Sequence, residues 1–346
     1  MPDRFASALL DWFDLAGRHD LPWLHPRTPY RVWLSEIMLQ QTQVKTVIPY
    51  FQRFLEAFPQ LQDLAAASLD DVLAQWSGLG YYARARNLHA TARLCVERHG
   101  GDLPRDPDAL MALPGIGRST AGAILAQAWG DPFPILDGNV KRVLARYHGI
   151  EGWPGLPAIE KQLWALAETH VPGRRMADYT QAQMDLGATL CTRHDPACML
   201  CPVQADCIAL RTGRVDELPT SRPGKTLPER TALMLMAENE AGDVLLQRRP
   251  PTGIWASLWS LPEAADHARA RAWFELHLDG EYEHAEALPE MPHTFSHYLL
   301  RMQTLRWRGL DTRTRLADGQ DLRWVARREL LSIGLPAPIR RLLATP

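Results

Sequence analysis

The pattern of hydrophobic positions changes type once along the chain. Up to about residue 211, apolar side chains recur every three or four residues, as in segments 5–13, 30–58 and 158–169. This spacing is typical of helices that bury one face. Beyond residue 228, apolar runs at 231–238 and 244–249 flank a turn-rich segment and predict a β-hairpin, and 298–308 is a further strand candidate. We therefore predict an all-α half followed by a mixed α and β half.

The border between these halves is marked by composition. Proline and glycine are concentrated between residues 218 and 228, which is typical of an extended linker. A chain of 346 residues with 46% hydrophobic content is long enough for two ordinary cores. We predict an all-α domain at residues 1–215, a linker at 216–228 and an α+β domain at 229–346.

Charge and hydropathy limit the choice of partner and compartment. The formal net charge is −2, so binding to nucleic acid would have to rest on local basic patches and backbone amides. The chain contains no run of eighteen apolar residues, and its first residues do not resemble a secretory leader. We expect a soluble, cytoplasmic, monomeric protein without membrane contact.

Four cysteines within seventeen residues indicate a metal centre. They follow an x6, x2, x5 spacing and are Cys191, Cys198, Cys201 and Cys207. Closely spaced thiols in a chain of this kind favour metal ligation over disulfides, which are the weaker alternative. Zinc sites usually pair two short knuckles across a longer loop, whereas one compact loop can supply the four thiolates of a 4Fe-4S cluster. We predict that loop 191–207 binds such a cluster, with zinc as the alternative.

Two further motifs lie upstream of the cysteines. In the segment Leu113-Pro-Gly-Ile-Gly117, Gly115 and Gly117 permit a tight turn whose backbone amides can face an anion. Twenty residues later, Asp137 opens a helix, a position where aspartate is ordinarily an N-cap. Each motif alone is also compatible with an ordinary helix–helix connection.

The order of the three motifs resembles the iron-sulfur branch of the helix-hairpin-helix DNA glycosylase superfamily. The strings 33–44 (WLSEIMLQQTQV) and 78–87 (GLGYYARARN) are similar to the MutY adenine DNA glycosylase family within it. The resemblance implies a base-excision repair enzyme with a 4Fe-4S cluster. Its implied substrate is double-stranded DNA holding adenine opposite 8-oxoguanine or guanine.

The resemblance also implies catalytic roles. Glu36 would protonate the adenine, Asp137 would stabilise the sugar cation, and Asn139 would position water, since breaking an N-glycosidic bond needs an acid and an anion. Bifunctional relatives carry a Schiff-base lysine where this chain has Ser119. We therefore predict a monofunctional glycosylase that leaves an abasic site.

The same resemblance assigns binding residues to three groups. Gln181 and Trp23 would form the adenine pocket, and the hairpin residues Leu113, Gly115 and Gly117 would hold phosphate. A flipped base leaves a gap in the duplex. The residues that would fill it and contact 8-oxoguanine are Gln41, Thr42, Leu79 and Tyr81.

The C-terminal segment resembles the Nudix-like domain of the MutY family. Residues 264–275 lack the glutamate-rich run with which Nudix hydrolases bind magnesium, so we expect recognition without hydrolysis. The implied readers of 8-oxoguanine are Phe295, Ser296 and His297.

Three other functions are alternatives to this interpretation. A bifunctional glycosylase and lyase of the endonuclease III type is disfavoured by Ser119 and by the extra domain. A non-catalytic iron-sulfur DNA sensor would have no need for Glu36 and Asp137, and a nucleotide hydrolase would need the missing glutamates.

Overall fold

The computed structural model describes residues 3–224, 226–295, 297–312, 321–330 and 332–344. The chain divides into two compact units, one made of residues 1–66 and 87–224 and the other of residues 67–86 and 225–346. The first unit is helical and the second combines sheets with helices, which confirms the predicted fold class. The hydrophobic pattern gave no sign that residues 67–86 group with the C-terminal segment.

The helical part of the chain contains twelve α-helices within its described residues. Their bounds are α1 Arg4–Ala16, α2 Pro29–Leu39, α3 Val44–Ala57, α4 Leu61–Ala66, α5 Leu69–Gln75, α6 Ala83–Arg98, α7 Pro107–Met111, α8 Arg118–Ile124, α9 Gly138–His148, α10 Pro157–Thr169, α11 Met176–Thr189 and α12 Ile208–Arg211. Helix α5 and the start of α6 belong to the second unit. A π-helical turn, Leu125–Trp129, follows α8 directly.

One core of the first unit explains why α1, α9 and α11 pack together. Phe5, Leu9 and Phe13 lie on one face of α1 because they are spaced by four residues, and all three are buried. They share a cluster with Val140 of α9 and Leu186 of α11. This packing places the N-terminus of α9 against α11, where the candidate site lies.

Segment 30–58, predicted as one helical stretch, forms two helices. Helix α2 ends at Leu39 and α3 begins at Val44. Gln41 lies between them with φ of +58°, a left-handed conformation that interrupts any α-helix. The break exposes the tip of the connection.

The second unit contains nine short or medium strands within its described residues. They are β1 Glu229–Ala237, β2 Val244–Arg248, β3 Trp259–Ser260, β4 Glu263–Ala264, β5 Leu278–Asp279, β6 Glu286–Thr294, β7 Leu299–Trp307, β8 Asp311–Thr312 and β9 Leu322–Val325, with helices α13 His267–His277 and α14 Ala337–Ala344. Sheets run in the orders β4-β1-β7-β6, β3-β2-β9 and β5-β8. The β1–β7 pair is parallel and the other pairs are antiparallel.

Strand β1 is buried on both faces, which explains its continuous apolar sequence. Ala232, Met234 and Met236 face one core cluster, while Leu233 and Leu235 face another. The predicted hairpin between β1 and β2 is only partly formed, since a single bridge from 238 to 244 joins them. Strand β1 instead pairs with β4 and β7 along its two edges, so β2 belongs to a separate sheet.

No helix among the described residues is both long enough and apolar enough to cross a bilayer.

Candidate active site

A cavity of about 580 Å³ in the first unit gathers most of the predicted catalytic and adenine-binding residues. It is bordered by α2, the connection after it, and the N-terminal end of α9. Its lining includes Arg18, Trp23, Glu36, Thr42, Ser119, Asp137, Asn139, Gln181 and Met184. Arg18 and Met184, which are 166 positions apart in the sequence, therefore border one space.

Glu36 projects from α2 with its side chain half-buried at the cavity. Its Oε1 accepts a hydrogen bond from Gln127 Nε2 at 3.0 Å. Burial, and to a lesser degree the charge of Asp137, raises the pKa of Glu36 to about 8, while the Gln127 donor opposes the shift. At neutral pH the carboxyl group is therefore mostly protonated and suited to act as an acid.

Asp137 is the N-cap of α9, the structural role that aspartate ordinarily has at a helix start. Its Oδ1 accepts from the backbone N–H of Val140 at 2.8 Å. Burial raises the pKa of Asp137, although the amides of Val140 and Asn139 and the charges of Arg142 and Lys141 favour its ionised form. Because several donors and cations stabilise the anion, Asp137 is the member of the pair better suited to carry charge.

Asn139 is held by a guanidinium that also reaches the cysteine loop. Arg142 Nη2 donates to Asn139 Oδ1 at 2.8 Å and to the Gly187 carbonyl at 2.6 Å, while Arg142 Nε donates to the Cys191 carbonyl at 2.7 Å. A Cβ at Gly187 would lie 2.5 Å from Asn139 Cβ, so only glycine lets α11 approach α9 this closely. The Asn139 oxygen is occupied, which leaves its amide N–H groups for other contacts.

Ser119 supports the segment before Asp137. Its Oγ accepts from the backbone N–H of Leu136 at 3.0 Å, and it also lines the cavity. Nearby on α9, Lys141 Nζ is engaged with Glu160 Oε1 at 2.6 Å. The hydroxyl at position 119 cannot form an imine.

The two residues predicted for the adenine pocket both line the cavity. Trp23 is buried and packs edge-on against Phe51, with ring centroids 5.5 Å apart. Gln181 lies on α11 and donates from Nε2 to Asp185 Oδ1 at 2.7 Å. Arg18, which the sequence analysis did not single out, also borders the cavity and binds Asp185.

Gln127 is a functional candidate that the sequence analysis missed. It lies within the π-helical turn that extends α8 and is buried, and its contact with Glu36 spans 91 positions. Single-turn π-helices are frequent at functional sites. No local sequence signal marks this residue, because its role depends on the tertiary approach of α8 to α2.

The predicted wedge residues differ in exposure. Gln41 and Tyr81 are exposed and have φ of +58° and +49°, respectively. Non-glycine residues in this conformation are uncommon and often mark functional sites. Thr42 is partly exposed and lines the cavity, whereas Leu79 is buried in the second unit.

The predicted phosphate hairpin forms a tight connection between α7 and α8. Leu113 is buried, and its carbonyl accepts from the N–H of Ile116 at 3.2 Å. Gly115 has φ of +80°, and a Cβ there would lie 3.0 Å from that of Asn87. Gly117 is the N-cap of α8 and has open space where a Cβ would project, so its backbone is accessible.

The four cysteines of loop 191–207 border one small apolar cavity with Arg146 and Tyr147. Arg146 is buried, and its guanidinium donates to the carbonyls of Thr192 and Leu218 and to Cys191 Sγ. Among the described residues, no three cysteine, histidine or acidic side chains approach closely enough to hold a single metal ion. The four cysteines thus share the lining of one cavity.

In the second unit, two of the predicted 8-oxoguanine readers, Phe295 and His297, lie between β6 and β7. Phe295 contacts the rings of Trp255 and His293, with centroids 5.4 and 4.6 Å away, and its N–H donates to the Tyr298 carbonyl. His297 is exposed. Ser296 lies outside the described residues. Helix α13, which lies largely within segment 264–275, carries one carboxylate, Glu275.

Comparisons with known proteins identify both halves of the chain. Residues 34–169 match the family described as HhH-GPD superfamily base excision DNA repair protein, and residues 232–345 match the NUDIX domain. The solved structure of a thermostable thymine-DNA glycosylase is 31% identical and covers 60% of this chain and 95% of its own, with a TM-score of 0.55.

Full-length relatives give the family. An adenine DNA glycosylase of Buchnera aphidicola subsp. Acyrthosiphon pisum is 37% identical over 98% of this chain and 96% of that protein. The human adenine DNA glycosylase is 36% identical over 97% of this chain and 73% of its own length. The chain therefore belongs to the adenine DNA glycosylase family of DNA-repair enzymes.

Proposed function

We propose that this enzyme flips adenine out of double-stranded DNA when it is paired with 8-oxoguanine or guanine, and removes it by hydrolysis. The observation that carries the proposal is the pairing of Glu36 and Asp137 at one cavity. Glycoside cleavage divides its work between an acid and an anion. The raised pKa of Glu36, about 8, and the cationic surroundings of Asp137 give the two carboxyls those separate roles.

In this mechanism Glu36 donates its proton to N7 of the flipped adenine, which turns the base into a better leaving group. Asp137 stabilises the positive charge that develops on the sugar as the bond breaks. Asn139, fixed through its oxygen by Arg142, directs its N–H groups toward the attacking water. Gln181 and Trp23 bind the base.

The reaction ends at an abasic site because no amine is available at position 119. Ser119 supports Leu136 instead, and Lys141, the lysine of α9, is paired with Glu160. Schiff-base chemistry needs an amine that reaches the sugar. This arrangement favours a monofunctional glycosylase over a lyase of the endonuclease III type.

Base flipping and recognition of the opposite base are assigned to the predicted wedge residues and to the predicted readers of 8-oxoguanine. Gln41 and Tyr81, held outward in left-handed conformations, would enter the gap left by adenine, with Thr42 and Leu79 beside them. Phe295, which contacts the rings of Trp255 and His293, would read 8-oxoguanine together with Ser296 and His297. The accessible backbone of Gly117 would contact a DNA phosphate.

The cysteine loop fits a 4Fe-4S cluster better than a zinc ion. A zinc ion needs four sulfurs about 2.3 Å from a single point, whereas a cluster is larger and takes its thiolates from around a cavity. Cys191, Cys198, Cys201 and Cys207 border such a cavity. The group would supply a structural link between the loop and the active site, through the Cys191 carbonyl that binds Arg142.

The test uses a duplex with adenine opposite 8-oxoguanine, incubated under single-turnover conditions and analysed with and without alkali. We expect strand breakage only after alkali, and loss of product in Glu36→Gln and Asp137→Asn. Breakage without alkali would indicate a lyase, and no product from the wild type would indicate a DNA sensor. Iron analysis with visible absorbance distinguishes the cluster from zinc.

A further inference from the structure

The loop between α5 and α6 carries the predicted wedge residue Tyr81 in a conformation that needs support. Three residues of this loop have positive φ, with +100° at Gly78, +74° at Gly80 and +49° at Tyr81. Glycine adopts such angles without steric cost, whereas tyrosine adopts them only where surrounding contacts impose them. The Tyr81 side chain is 53% exposed, so burial of its ring in a core does not hold it.

Arg84, the second residue of α6, supports the backbone that leads into Tyr81. Arg84 is 7% exposed, and its Nη2 donates to the Leu79 carbonyl at 3.3 Å and to the Gly80 carbonyl at 3.1 Å. The Trp76 indole N–H donates to the same Gly80 carbonyl at 3.0 Å. This carbonyl belongs to the planar peptide unit that joins Gly80 to Tyr81. Two donors on its oxygen therefore fix the direction in which the chain enters Tyr81.

The same guanidinium contacts the Tyr81 ring. Arg84 Cζ lies 5.5 Å from the centroid of that ring and 5.2 Å from the centroid of the Trp76 ring. Burial lowers the pKa of Arg84 to about 10, so the group keeps its charge at neutral pH. A cation over an aromatic face is attracted to it, and more strongly when water is excluded. A planar guanidinium can stack on rings while its edge donates to carbonyls, so one side chain holds both the backbone and the ring.

We infer that Arg84 is a positioning residue that holds Tyr81 outward in the conformation that enters the duplex, and so makes extrusion of adenine easier. The inference rests on the proposed function, in which Tyr81 is a wedge. A wedge that is ordered before binding loses less conformational freedom when it enters DNA. Arg84 belongs to the second unit, whereas Glu36 and Asp137 lie in the first. Loss of Arg84 should therefore slow extrusion of the base and leave bond cleavage intact.

The experiment compares two duplexes that differ in how readily adenine leaves the helix. Both hold adenine opposite 8-oxoguanine, but the flanking pairs are matched in one and mismatched in the other, where the adenine is already poorly stacked. Single-turnover rate constants at saturating protein are measured for the wild type and for Arg84→Met. We expect the ratio of the matched to the mismatched rate to fall about tenfold or more in Arg84→Met. Equal losses on both duplexes would make Arg84 purely structural and overturn the inference.

A fluorescence measurement follows extrusion without bond cleavage. The protein carries Glu36→Gln, and 2-aminopurine is placed beside the adenine in the matched duplex, where its fluorescence rises as its neighbour leaves the stack. We expect a smaller rise at saturating protein when Arg84→Met is added. A rise equal to that of Glu36→Gln alone would contradict a role of Arg84 in extrusion.

Two further variants test how Arg84 acts. In Tyr81→Ala the wedge is absent, so adding Arg84→Met should not lower the ratio further, and a further fall would overturn the inference. Arg84→Lys keeps the buried cation but has no planar fork for two carbonyls, and it tests the contact even if Arg84→Met does not fold. Its ratio should lie between those of the wild type and Arg84→Met, and a wild-type ratio would overturn the inference.

Arg86→Met is the matched control. Arg86 lies two positions later on the same helix and donates from Nη1 to the Ala256 carbonyl at 2.8 Å. Its variant should keep the wild-type ratio, and a fall as large as that in Arg84→Met would overturn the inference. A wild type that leaves adenine in place would instead overturn the proposed function. An unchanged ratio in Tyr81→Ala would overturn the wedge assignment within that function.

Discussion

At the scale of single residues, the active site keeps Glu36 in an environment that opposes its ionisation. The unfolded chain ionises this carboxyl near its ordinary pKa of 4.5, whereas the folded protein holds the pKa near 8. Because the folded pKa lies above the unfolded one, the free energy of unfolding is greatest below pH 4.5, where the carboxyl is protonated in both states. It falls as the pH rises from 4.5 through 8. The proposed catalytic acid is therefore expected to lower the stability of the fold at neutral and alkaline pH.

Replacing Glu36 by glutamine should stabilise the protein while abolishing activity. The neutral amide has the shape of the protonated acid but cannot ionise, so the gain should reach about 2–4 kcal/mol at pH 8 and shrink toward pH 4.5. Chemical denaturation at pH 5 and pH 8 measures the effect. A gain from Glu36→Gln that is equal at both pH values would contradict the raised pKa.

Gln127 should affect the pH above which the rate of base removal declines. Its amide donates to the Glu36 carboxylate and so favours the ionised form. In Gln127→Leu this donor is lost, the pKa of Glu36 rises further, and the decline in rate above pH 8 should move upward by about one pH unit. Single-turnover rates between pH 6 and 10 show the shift. Gln183→Leu is the control expected to keep the wild-type profile, because Gln183 is a buried amide on α11 that donates to Tyr179 Oη at 3.0 Å and does not border the cavity.

These contacts show which residues of the candidate site can be predicted from the sequence and which cannot. Glu36 and Asp137 were predicted because they lie in distinctive strings, and the structure brings both to one cavity. Gln127 and Asp185 were not predicted, since each acts on a residue in the cavity through a contact that has no local sequence pattern. Arg18 and Asp185 are 167 positions apart, so only the folded chain reveals their pairing.

At the scale of elements, the approach of α11 to α9 positions the catalytic helix start. Gly187 allows this approach, and Arg142 joins α9 to the carbonyls of Gly187 and Cys191. The cysteine loop is thereby connected to Asn139 through one guanidinium. We therefore expect the loop to contribute to catalysis by holding α9 rather than by supplying a reacting group.

Gly187→Ala should disturb the active site without touching the substrate. The added methyl group would lie 2.5 Å from Asn139 Cβ and 3.1 Å from its Cα, so α9 must shift. We expect a loss of about 1–3 kcal/mol in unfolding free energy and a lower single-turnover rate, with DNA affinity changed less. Gly173→Ala, which has open space around its Cβ position, should leave both quantities near wild type.

At the scale of the whole molecule, the two units do not follow the boundary predicted from composition. Proline and glycine are concentrated at 218–228, and strand β1 begins directly after this segment, at Glu229. Residues 67–86, however, pack with residues 225–346. Their sequence is helical in pattern like its neighbours, so composition could not separate them. The predicted wedge residue Tyr81 thus belongs to the same unit as the predicted reader of 8-oxoguanine.

Removing residues 225–346 should therefore loosen a segment that lies far upstream. Tyr82 Oη donates to the Leu335 carbonyl and Arg86 Nη1 to the Ala256 carbonyl, both at 2.8 Å, and truncation at residue 224 deletes both acceptors. We expect amide hydrogens in 67–86 to exchange at least about tenfold faster in the truncated chain, because local stability follows local contacts. Hydrogen-exchange mass spectrometry measures this, with α9 as the internal control whose core lies within the first unit. Unchanged protection in 67–86 would mean that the segment is stabilised by the first unit, and Tyr81 would then be positioned independently of the 8-oxoguanine reader.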